Sequence, residues 1–164
     1  MRKKPPSPLS LPASSNRIKK MSAIKALLKT EPSEYSFDQL EKDGTTIWSG
    51  IHNYAALRNL ETLKVGDAVT IYHTGAERAA VGIAIVTRAA HRVRGEPNPK
   101  FLSIEVRAGR RFSRAVALED LKNDPAFAAS PLVTMGRLSV VLLTPEQSDR
   151  LSAMASRRRE TAGA

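Results

Sequence analysis

The chain has 164 residues, 41% hydrophobic and 26% charged, which is the balance of a soluble globular protein with enough length to bury one core. It contains no cysteine, which excludes disulfides, thiolate catalysis and cysteine-ligated zinc, and no segment approaches the roughly 18 apolar residues that a membrane-spanning helix needs. The net charge of +10 points only weakly to nucleic acid, because residues 1–20 and the tail carry most of the excess and residues 21–156 hold 17 basic and 15 acidic side chains.

Residues 1–22 are rich in proline, serine and basic side chains without periodicity. They predict a disordered basic extension, and their interrupted apolar content argues against a secretory signal. A cytoplasmic location is therefore expected. The stretch AIKALLK (23–29) predicts a first strand. In SFDQLEKDG, Ser36 with Gln39 three residues later forms a capping box and Gly44 a stop, so a short helix is expected. Asn53 caps a second helix running through Leu60. KVGD (64–67) is a turn before AVTIYH, a β-rich strand, and AVGIAIVTRAAHRV (80–93) reads as a long strand in which Gly82 marks a bulge or a close approach. FLSIEVRAGRRF (101–112) alternates like a half-buried strand, ALEDLKND makes a helix stopped before Pro125, and LSVVLL (138–143) is a last strand. Thr144, Pro145 and Gln147 then open a final helix at N-cap, N1 and N3. Short strands with small helices predict an α+β fold around a strongly bent sheet or small barrel, spanning residues 23–156 and followed by a basic tail at 157–164.

The polar aromatics are concentrated. Tyr35, Trp48, Tyr54 and Tyr72 lie between residues 35 and 72, and His52 and His73 join them. Flat rings with hydrogen-bonding tips suit a pocket for a planar ligand, although a lone tryptophan serves equally well as a core anchor. His52 and His73 with Glu31 would make an acid/base set, with Ser33, Ser49 or Thr74 supplying a hydroxyl. No nucleophile elbow, P-loop, GxGxxG or HExxH accompanies them, and the spacing has no metal-binding logic, so neither catalysis nor a cofactor is expected. Between Arg88 and Arg114 eight Lys and Arg residues stand against Glu96 and Glu105, a pattern that suits phosphate attraction or simply a solvated strand face.

The segments LLKTEPSEYSFDQLEKDGTTIWSGIHNYAAL, LKVGDAVTIYHTG, AVGIAIV and GRLSVVLLT, in this order, resemble the EVE domain family of the PUA-like superfamily over about residues 24–154. The resemblance implies a PUA-like bent β-barrel with flanking short helices. It also implies a non-enzymatic binder of DNA or RNA carrying a modified base, in particular a modified cytosine in DNA; the oligomeric state is open, with a monomer favoured. On the matching positions, Trp48 and Tyr72 become walls for stacking. Lys29, Thr30 and Glu31 approach the base edge, and Asn53, Tyr54 and His73 supply hydrogen bonds or shape. His52 stands in the pocket motif where the family usually has arginine, which removes a permanent bidentate cation. Phosphate contacts fall to Arg58, Arg107, Arg110 and Arg111. The alternatives are a nucleotide-processing enzyme using Glu31 and His73, and a small-molecule or protein-interaction module.

Overall fold

The computed structural model describes residues 23–156, so the expected basic extension and tail lie outside the described residues. In chain order the elements are β1 (Ile24–Thr30), α1 (Phe37–Asp43), β2 (Thr45–Trp48), α2 (Tyr54–Glu61), β3 (Ala68–His73), β4 (Ala79–His91), β5 (Ser103–Ala117), α3 (Leu118–Lys122), a 3-10 turn (Pro125–Phe127), α4 (Pro131–Thr134), β6 (Val140–Leu142) and α5 (Pro145–Ser156). The strands form one sheet in the order β2-β5-β4-β3-β1-β6.

Local chemistry places the helices. Ser36 Oγ accepts from the Gln39 N–H at 3.1 Å and opens α1, which Gly44 closes at φ +79°. The Gln39 side chain does not return to the cap as a full capping box would; its Nε2 donates to Asp43 Oδ1 at 2.9 Å. Asn53 Oδ1 caps α2 through the Ala56 N–H at 2.9 Å. At α5 the box is reciprocal, since Thr144 Oγ1 accepts from the Gln147 N–H and Gln147 Oε1 accepts from the Thr144 N–H.

β3 runs through the middle of the sheet, parallel to β1 and antiparallel to β4, and all six of its residues are buried. That is the burial expected of a strand covered on both faces. Leu27, Leu28, Phe37, Leu40, Ile71, Ile104 and Leu151 lie wholly inside, each burial worth about 1.5–3 kcal/mol. Gly82 combines both expected roles. The register shifts on either side of it against β5, and the Phe37 ring lies so close that an added Cβ would stand 2.6 Å from Cζ. Such irregularities bend a sheet.

Four elements differ from the sequence reading. β5 continues to Ala117, because Ala79 and Ala80 of β4 pair with Ala117 and Val116. β2 has no alternation to announce it and exists through pairing of Thr45–Trp48 with Arg107–Ile104. α4 and the 3-10 turn are single-turn elements opened by Ser130 and Asp124, each accepting a backbone N–H two residues on. A parallel pair needs a crossover. Here it comprises residues 31–67 and carries the KTEPSEY turn and the Trp48 strand to the C-terminal end of β1.

Candidate functional site

At that end of β1 lies a cavity of about 400 Å³, bounded by Lys29, Thr30 and Glu31 on one side and by Thr46, Ile47 and Trp48 of β2 on the other. Glu34, Tyr35, Ser49 and Gly50 complete it. The turn that shapes it follows from Pro32. The Glu31 carbonyl accepts from the Glu34 N–H at 2.8 Å and from the Tyr35 N–H at 2.9 Å, with proline at the second turn position, where its fixed φ fits. Thr30 Oγ1 donates to the Tyr35 carbonyl at 2.7 Å and closes the turn against the strand end.

Each polar group in the cavity has a defined setting. Lys29 Nζ donates to the Gly136 carbonyl at 2.7 Å, which leaves two ammonium protons, and partial burial pulls its pKa below the usual 10.5. Glu31 Oε1 accepts from Thr74 Oγ1 at 3.2 Å and Oε2 from Ser33 Oγ at 3.2 Å. Gly75, at φ +76°, passes close behind this carboxylate; a Cβ there would lie 2.8 Å from Oε1. Tyr35 donates its hydroxyl to Asp43 Oδ2 at 2.7 Å. Burial raises the Tyr35 pKa, and the bonds from Tyr35 and Gln39 lower that of Asp43. The Tyr35 and Trp48 rings meet at 85° with centroids 6.0 Å apart, so a flat ligand stacked on one meets the other nearly edge-on. Trp48 is 8% exposed. It is at once a core side chain and a cavity wall, and the two readings of it left open by composition coexist.

The expected residues divide into groups. Lys29, Thr30, Glu31 and Trp48 share the cavity. Tyr72, expected as a second wall, is a correction: it is 3% exposed on the two-sided strand β3 and lies behind Lys29, whose Nζ is 5.8 Å from its ring centroid. Burial raises its pKa. His73 is buried too, and both ring nitrogens are engaged. Nε2 accepts from the Phe37 N–H at 3.0 Å and Nδ1 stands 2.9 Å from Glu77 Oε1, which assigns the proton to Nδ1. It ties α1 to the sheet rather than facing a ligand. Asn53 is spent on capping α2. His52 and Tyr54 belong to a different surface, beside Phe101.

Among the expected phosphate contacts, Arg58, Arg107 and Arg110 are exposed. Arg111 is held by Asp38 and by Glu41, the latter at 2.7 Å, and covers the Phe37 ring with its guanidinium carbon 5.0 Å from the centroid. These bonds raise its pKa, so Arg111 is a clasp between β5 and α1. Glu34, Thr46 and Ile47 complete the cavity without having been singled out, and Tyr35 and Ser49 join it although neither was among the expected base contacts. Tyr35 carried a signal twice, as one of the concentrated aromatics and as the last residue of KTEPSEY. Among the described residues no group of three His, Cys, Asp or Glu side chains is arranged to hold a metal ion, and no helix is long and apolar enough to cross a membrane.

A mixed α+β domain of this kind, with one bent six-stranded sheet and short capped helices, is PUA-like. The chain matches the EVE domain model over residues 27–154 and belongs to the EVE domain family. It is similar to thymocyte nuclear protein 1 of Homo sapiens, with 26% identity over 176 residues covering 87% of this chain and 78% of the human protein. A crystal structure of a protein from Agrobacterium tumefaciens superposes with a TM-score of 0.76 at 31% identity, covering 79% of this chain and 91% of the other. Human THYN1, whose crystal structure is a complex with 5-methylcytosine-containing DNA, superposes with a TM-score of 0.71 at 25% identity, covering 81% of this chain and 98% of that one.

Proposed function

We propose that this EVE domain is a non-enzymatic DNA-binding module that takes a 5-methylated cytosine into the cavity between Lys29–Glu31 and Trp48. The observation that carries the reading is the cavity itself, where two rings at right angles stand beside a cation and a carboxylate. The human relative bound to 5-methylcytosine-containing DNA supplies the choice of base. Extruding a base from the duplex costs a few kcal/mol, and stacking on an aromatic recovers about 1–3 kcal/mol. Glu31 accepts from the cytosine N4 amine, as acidic side chains do when they read cytosine. The two remaining Lys29 protons serve N3 or O2. Ile47, 40% exposed at the cavity, offers apolar contact to the 5-methyl group, a contact worth about 1–3 kcal/mol at most. The rest of the affinity comes from phosphates. The reading of Glu31 with His73 as a catalytic pair is not favoured, because both His73 nitrogens are occupied.

The test is fluorescence anisotropy with otherwise identical oligonucleotides carrying cytosine or 5-methylcytosine, over a range of salt. The expected result is a methyl-dependent preference above a salt-dependent background. It should be lost in Tyr35→Ala, whose half-buried ring makes that change gentler on the core than Trp48→Ala. A steep salt slope with no dependence on methylation would reduce the protein to a generic polyanion binder.

A further inference from the structure

A second cavity, of about 350 Å³, opens next to the first, with Ser49 and Gly50 lining both. Gly50, at φ +81°, puts no side chain on the shared rim. The walls of the second cavity include His52, Arg94, Glu96 and Phe101. His52 lies flat on Phe101, with centroids 4.3 Å apart and planes 17° from parallel. Tyr54, 56% exposed, stands 6.3 Å from the same Phe101 ring, and Lys100 Nζ sits 5.9 Å from the Tyr54 centroid. His52 and Phe101 thus form a two-ring stack in the cavity wall, a platform beside which Tyr54 stands tilted by 43° to Phe101, and the fold of the domain does not require Tyr54 to be there: a ring so exposed contributes little to the core. The charge around the platform is positive. The segment from Arg92 to Lys100 carries three cations, Arg92, Arg94 and Lys100, against one carboxylate, Glu96, which is turned back to accept from the Asn98 N–H at 3.0 Å.

We propose that this platform is the subsite for the nucleotide next to the bound base on the same DNA strand, its base stacking on the outer face of the His52–Phe101 stack with Tyr54 at its edge, and its phosphate facing Lys100 and Arg94. The inference rests on the reading of the first cavity as a base pocket. Extruding one base leaves its neighbour with an unstacked face, and that neighbour must emerge at the rim of the pocket, where Ser49 and Gly50 join the two cavities. An aromatic surface accepts any base there, because every base has a flat face, and adjacent cations meet the phosphate that links the two nucleotides.

The experiment crosses ligand and protein changes, using the full chain and single-stranded oligonucleotides that carry one 5-methylcytosine. In a second set an abasic spacer replaces the flanking nucleotide on one side or the other. His52→Ala and Tyr54→Ala change exposed side chains, and Phe101→Leu keeps apolar volume while removing the ring. On the intact strand each variant should bind between about 5-fold and 100-fold more weakly than the wild type, the range set by one lost stacking contact. On the strand whose spacer occupies the correct side, wild type and variants should bind alike, while the preference for 5-methylcytosine over cytosine is unchanged throughout. Variants that bind both strands as the wild type does, with the methyl preference intact, overturn this subsite and leave the pocket standing. A wild-type chain indifferent to methylation overturns the pocket and this placement together.

Discussion

Glu31→Gln isolates the group that distinguishes cytosine from thymine in the proposed pocket. Both 5-methylcytosine and thymine carry the 5-methyl group, so stacking and apolar contact treat them alike. They differ at position 4, where cytosine donates from an amine and thymine accepts at a carbonyl. In the structure Ser33 and Thr74 each donate to one Glu31 oxygen at 3.2 Å, and Gly75 closes the space behind. The carboxylate is therefore held, with lone pairs left over, and glutamine preserves its shape while halving its accepting capacity. A hydrogen bond to a charged group is worth about 1.5–3 kcal/mol, and Glu31 is only partly buried, so about 1–2 kcal/mol is the reasonable share. That is roughly 5- to 30-fold weaker binding of 5-methylcytosine. Thymine binding should improve at the same time, since the variant offers its O4 a donor in place of a negative charge. Competition anisotropy with cytosine, 5-methylcytosine and thymine in one sequence context measures all three, with thermal melting as the control for folding. An unchanged ratio of 5-methylcytosine to thymine, or an equal change for all three bases, would refute the assignment of Glu31 to the amine.

Other expectations concern the frame around the pocket. Gly82→Ala forces a Cβ into the Phe37 ring, which is fully buried and tied to His73 through its N–H; overpacking costs about 1–3 kcal/mol, offset by less than about 1 kcal/mol of reduced unfolded-chain entropy. A fall of several degrees in Tm is expected, and an unchanged Tm would mean that α1 slides away freely. Arg111→Ala should leave the salt dependence of DNA binding untouched, because Asp38 and Glu41 already occupy the guanidinium, while Arg107→Ala should reduce the salt slope by about one. The reverse ranking in a salt titration would return Arg111 to the phosphate contacts. The Arg150 guanidinium, with Nε 3.0 Å and Nη2 2.8 Å from Asp124 Oδ2, holds the Asp124 pKa below 3.8, helped by the Ala126 N–H. Because the folded value is the lower one, this stabilisation is present above pH 3.8 and is lost as pH falls through the folded pKa. Asp124→Asn should therefore flatten the dependence of Tm on pH below 3.8, and a Tm profile identical to the wild type there would show that the pair contributes nothing.

Much of the frame was legible because it is locally encoded. Ser36, Asn53 and Thr144 cap their helices with their own side chains, and the turn at 64–67 separates α2 from a strand of β-rich residues. β2 was not legible. Four residues without alternation become a strand only because β5 offers an edge 60 positions further on. In the pocket, Lys29, Thr30 and Glu31 follow from the end of β1 and the proline turn after it, and the motif around Trp48 supplied the opposite wall. Tyr72 misled because β3 is covered on both faces. A strand buried throughout has no polar side in its sequence to say which residues face a ligand and which face core.

Sequence alone determined the family, the starts of α1, α2 and α5, the chain order of every strand but β2, and the presence of polar aromatics with a cation and a carboxylate near residue 30. It did so because caps, turns and the order of motifs depend on neighbours in the chain. Only the tertiary structure decided which aromatics stand together. The Tyr35–Trp48 corner, the engagement of both His73 nitrogens and the separate His52–Phe101 stack with Tyr54 beside it each join residues from different parts of the chain. The crossover of residues 31–67 between β1 and β3 could bring many aromatic pairs together, and it is the pairing of β2 on β5 and the positive φ of Gly50 that select these ones.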